Sequence, residues 1–360
     1  MLFVLDEGTS DILKERPLSV SQLRTFDRCP KAFELQYLTD PRTPVRNMGA
    51  SVWFGKVIQH IIQRAYHGVP LLEGHVQVWQ RECGPLCGAL QHWFQLDVEQ
   101  RKAGAANSNA RKDWNEANPE YRYLTAQIDT YQQEYLSDWN WSEKYSLTAY
   151  YRWSTNFALN TPITQVVLPH AILVEGLPVR WPDGEVIRRF EGEVAGREHY
   201  QLLHGMIGGT HVVGVPDQFG VDPDGTAWIS DNKVTASQLS PDELGEDCQL
   251  AAYYILLRQN AWITADQPTR VGHCYIKEKE LPRHVWSNIA RYESSVLPQL
   301  HDQFAQLKAA VAHGTFLRVR GIQPSAFSPC KFCGVRYACL SPQRAYVSPQ
   351  LDDGASGEKR

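Results

Sequence analysis

The sequence predicts an α/β fold carrying a mostly helical insertion. Three observations lead there. Helical patterns fill residues 18–66. Turn residues alternate with short β-branched and aromatic runs from about residue 190 onward. Between them lies a long stretch, 70–190, that reads mainly as helix and holds seven of the eleven tryptophans.

The elements follow in order. LSVSQLRTFDRCPKAFELQYL (18–38) predicts a short helix, a break at Cys29-Pro30 and a second helix, with Pro30 suited to a first helical turn. ASVWFGKVIQHIIQRAY (50–66) predicts one amphipathic helix, with Val57, Ile61 and Ile62 near one face and His60 alongside. Within 70–190, AGAANSNARKD (103–113) reads as a loop. EGEVAG (191–196) reads as a strand, and HVVGVPDQFGVDPDGTAWISDNK (211–233) as a hairpin turning at Asp222-Pro223-Asp224-Gly225. EDCQLAAYYILLRQ (246–259) predicts a buried helix, RVGHCYIK (270–277) a strand, and 286–312 a longer helix. The polar tail, 346–360, predicts disorder.

Composition narrows the class. Hydrophobic residues make up 43% of the 360 and charged residues 21%, ordinary for a globular protein. No run of 18 apolar residues suggests a membrane span, and MLFVLDEGTSDILKER lacks the basic lead of a secretion signal. Eight cysteines in that setting point to a reducing cytoplasm, with ligand or spectator thiols in place of a disulfide frame. The net charge of −4 gives no basic excess, so any nucleic-acid site must be a local groove.

The hairpin carries the chemistry. Asp217 and Asp231 lie equidistant from Asp224 in the turn, which makes them cross-strand neighbours. Lys233 follows Asp231 by two residues and shares its face. Two carboxylates and an ammonium on one face suit a hard cation with oxygen ligands, and a water poised to attack a phosphodiester. The competing reading is a solvated hairpin face with a chance ion pair. Apolar neighbours (Val212, Val213 and Val215 on one side, Trp228 and Ile229 on the other) weigh against it, because charge at the end of an apolar strand is costly unless paired.

At this point a family resemblance becomes specific. Pro216-Asp217 followed by Asp231-Asn232-Lys233 resembles the signature of the PD-(D/E)XK nucleases. Gln249-x-x-x-Tyr253 resembles the Q-x-x-x-Y motif of the RecB-like branch, and His60 stands where that branch carries a metal-ligating histidine. The resemblance covers roughly 18–66 and 205–342. It implies a restriction-endonuclease-like core, a mixed sheet flanked by helices, within a single nuclease domain over 1–345. That domain divides into N-terminal helices (18–66), a helical insertion (70–190), the catalytic sheet and helix (191–280), and a C-terminal helix with a cysteine cluster (281–345). It further implies that His60, Asp217 and Asp231 ligate Mg²⁺ or Mn²⁺, that Lys233 handles the attacking water, and that Gln249 and Tyr253 support the site. An acidic ligand on the strand before Asp217 is also expected, with Glu193 the first candidate and Glu191 the second.

Cys330, Cys333 and Cys339 have the spacing C-x2-C-x5-C, and such a centre usually takes four protein ligands. Spacing alone admits zinc and iron–sulfur equally. Cys83 and Cys87, spaced C-x3-C, are one source of the missing ligand, whereas Cys248 and Cys274 fall in expected core elements. The chain is similar to AddB-type and CRISPR-adaptation nucleases, a resemblance that implies a 4Fe–4S cluster held by Cys29, Cys330, Cys333 and Cys339. Linking residue 29 to 330 closes a loop of roughly 300 residues, worth about 5–6 kcal/mol at most on the chain-entropy model.

The function so implied is metal-dependent hydrolysis of DNA, as an end-dependent or single-strand-preferring exonuclease acting on single strands or duplex ends. The alternatives are a nuclease subunit active only with a helicase, recombination or CRISPR-adaptation partner, a non-catalytic DNA-binding scaffold, and a zinc-stapled protein without a nucleic-acid role. The near-match GASVWFGKV to a phosphate loop fails, with five residues between Gly49 and Gly55 and Val57 where Ser or Thr is needed.

Overall fold

The structure is a computed structural model. It describes residues 17–39, 48–137, 139–142, 145–172, 179–180, 186–187, 203–235, 238–288, 296–317 and 333–340, with 43, 45 and 330 besides. The expected strand 191–196, with Glu191 and Glu193, and the tail 346–360 lie outside the described residues. Two compact units divide the chain: Met1–Arg16, Ser21–Met48 and Gln306–Arg360 form one, and Pro17–Val20 with Gly49–Ala305 form the other.

In the smaller unit, α1 (Val20–Arg28) ends where Cys29 leaves helical geometry, and Pro30 opens α2 (Pro30–Phe33), which continues as a π turn over Glu34–Leu38. Pro30 has no N–H to donate, so a break here leaves no orphan. Phe26 packs edge-on against Phe33.

The larger unit begins with β1 (Leu18–Ser19), β2 (Met48–Gly49) and α3 (Ala50–Tyr66). The helices expected over 70–190 follow: α4 (Leu71–Cys83), α5 (Leu86–Ala106), α6 (Ser108–Ala117), α7 (Pro119–Tyr135) and, after β3 (Trp139–Asn140), α8 (Leu147–Asn160). Residues 103–113 are helix and cap where a loop was expected. Asn107 terminates α5 and caps α6, its carboxamide accepting the Ala110 N–H at 2.7 Å. Asn and Ser signal a helix start as readily as a loop, and the flanking Ala, Arg and Lys favour helix.

Aromatic packing holds these helices to α3. Phe54 stacks on Tyr150 at 4.1 Å. Trp79, fully buried, donates to Ser154 Oγ at 2.9 Å. Cys83 and Cys87 belong to this apolar core at 1% exposure, and the helix breaks between them at Gly84, whose φ is +46°.

After β4 (Val179–Arg180) and β5 (Val186–Ile187), the strands form two larger sheets. β6 (Leu203–Ile207) and β7 (Thr210–Gly214) pair antiparallel, with β1 parallel beside β7. The second sheet is mixed, in the order β11-β10-β9-β8. In it β8 (Gln218–Val221) and β9 (Ala227–Val234) form a hairpin, β10 (Thr269–Ile276) runs parallel to β9, and β11 (Arg283–Asn288) closes the edge. The hairpin is therefore shorter than expected, and 211–214 pairs in the other sheet. The chain leaves extended pairing at Val215-Pro216, where Pro216 cannot donate to a ladder. The expected turn stands: Gly225 takes φ +86° and donates to the Asp222 carbonyl at 2.9 Å.

After α9 (Pro241–Leu244), α10 (Cys248–Gln259) makes the crossover between parallel β9 and β10, as parallel strands require. Gly214 lets α10 approach closely, since a Cβ there would meet Tyr253 and Leu256 at 2.9–3.0 Å. α11 (Leu297–His313) starts later than the expected 286, because β11 occupies residues to Asn288. α12 (Arg336–Leu340) follows. Cys274 is buried, as expected of a core strand, whereas Cys248 is half-exposed at the first turn of α10. Among the described residues, no helix is long and apolar enough to cross a membrane.

Candidate active site

Three separate segments of the larger unit meet at one cavity of about 310 Å³. α3 contributes Lys56, Gln59 and His60, the bend before β8 contributes Asp217, and the end of β9 contributes Asp231, Asn232 and Lys233. The β8–β9 register pairs Gln218 with Ser230. Continued by one residue, it sets Asp217 beside Asp231.

Each carboxylate has its own support. Asp217 Oδ2 accepts the Asn232 N–H at 2.7 Å. Asp231, 3% exposed, accepts from Gln249 Nε2 through Oδ1 at 3.0 Å, and its Oδ2 meets the Lys233 ammonium. Burial raises the Asp217 carboxyl well above the ordinary carboxylate range, and the Asp231 charge raises it further. The Asn232 N–H and Lys233 offset this in part.

α10 supplies the next ring of contacts. Gln249 is a junction: its Oε1 accepts from Lys233 Nζ at 3.2 Å, and its Nε2 donates to Asp231 and, at 2.8 Å, to Tyr253 Oη. One turn of helix separates Gln249 from Tyr253, so both address the same point. Burial and the nearby Asp231 and Asp217 charges raise the Tyr253 phenol well above its usual value, which keeps it protonated. His60 Nδ1 faces Arg81 Nη2, with Glu82 Oε1 at 3.9 Å.

Some residues at the site were not singled out in the sequence. Lys56 and Gln59 line the cavity, and Gln59 Oε1 accepts from Asn232 Nδ2 at 3.1 Å. Lys56 lies one turn before His60, a spacing that could have flagged it. Asp247 caps α10, its Oδ1 accepting the Gln249 and Leu250 N–H groups at 2.7 and 3.1 Å. Its Oδ2 lies 3.6 Å from Nε2 of His273, the β10 residue in register with Asp231. An acidic residue just before a helical pattern is a cap signal. His273 had no signal, since only strand pairing brings it here.

Two facing carboxylates, one buried and both short of solvent, form an oxygen donor set that fits a hard divalent cation. Among the described residues, no group of three or more His, Cys, Asp or Glu side chains is arranged to hold a metal ion.

The cysteines of the smaller unit gather in part. Cys29 forms a small apolar cluster with Ala32, Leu35, Val335 and Ala338, against which Cys333 and Cys339 pack. Cys333 N–H donates to the Cys330 carbonyl at 3.4 Å. Burial raises the Cys333 thiol, and the nearby Cys29 and Cys330 raise it further. Cys83 and Cys87, the rival ligands, lie instead in the apolar core of the larger unit.

Comparison with known proteins follows the same line. The family model described as PD-(D/E)XK nuclease superfamily matches residues 17–340. No curated protein matches the sequence. Among solved structures, one from Eubacterium rectale described as a "Putative exonuclease" aligns over 91% of this chain and 92% of its own, at 11% identity and a TM-score of 0.39.

Proposed function

The chain belongs to the PD-(D/E)XK nuclease superfamily, and from that premise we propose that it is a divalent-metal-dependent deoxyribonuclease, acting from ends or preferentially on single strands. The observation that carries this reading is the meeting of His60, Asp217, Asp231 and Lys233 on one cavity from three separate segments.

Members of this superfamily typically use divalent metals such as Mg²⁺. Asp217 and Asp231 would hold Mg²⁺ or Mn²⁺ here, with His60 beside them and Glu193 as a further candidate. When bound, the cation supplies Lewis-acid stabilisation of the charge that develops on the phosphate. The protein's own groups do the rest. Lys233, held between Asp231 and Gln249, orients the attacking water and moves its proton. Gln249 fixes Lys233 and Asp231 relative to each other. Tyr253 anchors Gln249. Lys56 offers a cation to the incoming backbone. We read the whole of 1–345 as one nuclease domain interrupted by the 70–190 insertion.

The finer subtype, RecB-like and AddB-type, is also a proposal. Cys29, Cys330, Cys333 and Cys339 would hold a 4Fe–4S cluster that staples the ends of the nuclease, without a part in the chemistry. Cys29, Cys333 and Cys339 pack in one apolar cluster, while among the described residues no three such side chains are arranged as a metal site, so the proposal rests on the spacing of the cysteines in the sequence. Iron with acid-labile sulfide in anaerobically purified protein is the expected result, and zinc alone would overturn it. A helicase or recombination partner fits the same subtype.

The test of activity is degradation of end-labelled single- and double-stranded DNA with Mg²⁺ or Mn²⁺, wild type beside Lys233→Ala. Cleavage by wild type and its loss in the variant are expected. A wild type that binds DNA but cleaves none, with its metal complement full, would replace this reading by a partner-dependent subunit or a binding scaffold.

A further inference from the structure

A second cavity, of about 810 Å³, opens within the helical insertion of the larger unit. Its aromatic lining comes from Trp93, Tyr121, Trp139 and Trp141. Trp93 and Tyr121 are stacked, 19° apart in plane. Tyr121, Trp139 and Trp141 are half-buried, so rings that complete an apolar core elsewhere in this subdomain here remain in part accessible.

The polar lining is unusual in a different way. Asp129 and Gln132 stand three apart on α7, on one helical face. Gln132 is 9% exposed. Its Oε1 accepts the Leu147 N–H at 2.6 Å, but among the described residues its Nε2 has no partner. The Asp129 carboxylate likewise has no partner among them, and burial raises it above the ordinary carboxylate range. The rest of the Gln132 side chain is buried, so this amide group is held in place at the cavity lining with its donor free for an occupant. Here donor and acceptor sit side by side at the margin of flat aromatic rings.

That combination matches one ligand chemistry well. A nucleobase offers a π face for stacking and an edge that alternates hydrogen-bond donors and acceptors. α3 links the two cavities: Lys56, Gln59 and His60 line the first, while Trp53 packs edge-on at 5.5 Å against Trp141, which lines the second. We propose that the insertion's cavity takes an unstacked nucleobase of single-stranded nucleic acid, stacked on the aromatic lining and read at its edge by Gln132 and Asp129. This rests on the nuclease reading for its choice of substrate, and it extends that reading by giving the insertion a role in holding single strands.

The test is binding of a fluorescently labelled single-stranded oligonucleotide of about a dozen nucleotides to the full chain, in EDTA so that no cleavage occurs. A matched oligonucleotide carrying abasic residues keeps every phosphate and removes the bases. Wild type should bind the abasic strand on the order of tenfold more weakly, the scale of one lost stacking contact. Gln132→Glu keeps the acceptor for Leu147 and removes the donor. It should bind the normal strand about tenfold more weakly and discriminate little against the abasic one. Asp129→Asn, at a position with no internal partner, should do the same and guards against misfolding of the first variant. Wild-type-like affinity in both variants, equal binding of normal and abasic strands by wild type, or no binding by wild type would each overturn the proposal. If wild type cleaves DNA while both variants bind normally, the cavity proposal falls and the nuclease stands. If wild type never cleaves but both variants lose base-dependent binding, the nuclease reading falls and the cavity stands.

Discussion

Replacing Asp217 by Asn should stabilise the metal-free protein while abolishing cleavage. Among the described residues the side chain makes one hydrogen bond, from the Asn232 N–H to Oδ2 at 2.7 Å. An asparagine oxygen can keep it, at a loss of roughly 0.5–1 kcal/mol for the charge assistance. Against this, the substitution removes a buried negative charge that faces Asp231. Leaving such a charge uncompensated is worth about 3–5 kcal/mol, reduced here because Lys233 is near. The balance favours Asp217→Asn by about 1–2 kcal/mol at pH 8, in line with gains found when functional sites are relaxed. The pH dependence has a definite sign. The Asp217 carboxyl is raised in the folded state, so the native protein binds this proton when the unfolded chain does not, and stability falls as pH rises through that window. The variant lacks this term. Its advantage should be present at pH 8 and shrink on acidification as Asp217 protonates in the wild type. Urea midpoints in EDTA between pH 8 and pH 5, for wild type and Asp217→Asn, read this directly. Millimolar Mg²⁺ should then stabilise wild type and leave the variant unmoved, since a ligand stabilises only the state that binds it. A variant less stable than wild type at pH 8, or an advantage that grows toward acid, would show that the carboxylate pair is not strained.

Other buried and capping groups carry expectations of the same kind. His75, 1% exposed and between Ser154 Oγ at 3.1 Å and Thr155 Oγ1 at 3.2 Å, is pushed down to about 4 by burial, so stability should fall as pH drops from about 6.5 toward 4, by on the order of 3 kcal/mol; His75→Gln should flatten that slope in denaturant titrations. Asp247→Ala removes the cap of α10 and should cost about 1 kcal/mol in thermal unfolding, with a fall in kcat larger than any change in KM because Gln249 loses its anchor. Cys330→Ser should lower bound iron, solubility and thermal stability together; wild-type folding with unchanged metal content would refute the four-ligand assignment.

The fold was legible where a pattern was local. The amphipathic period over 50–66 matched α3 to the residue, and Asp222-Pro223-Asp224-Gly225 matched a turn that needs φ > 0 at Gly225. It failed where one signal serves two structures. Asn107 caps a helix with the same carboxamide that would close a loop. Val212 and Val213 pair in another sheet because Pro216 ends the ladder before β8. The site divides the same way. Hairpin symmetry and helical spacing put Asp217, Asp231, Lys233 and the Gln249–Tyr253 pair on shared faces, and the structure brings them together because symmetry about a turn survives a shortened strand. His273 sits in register with Asp231 only because β10 lies parallel to β9 across a helical crossover. A pairing that spans 42 residues leaves no mark in either strand alone. The histidine then reaches Asp247, which caps the helix that carries Gln249, which in turn bonds to Asp231. The circuit closes on itself through two strands and a helix, so a substitution at any member should displace the others. That coupling accounts for how carboxylates under mutual repulsion keep a fixed geometry: the strain is borne by the whole βαβ unit.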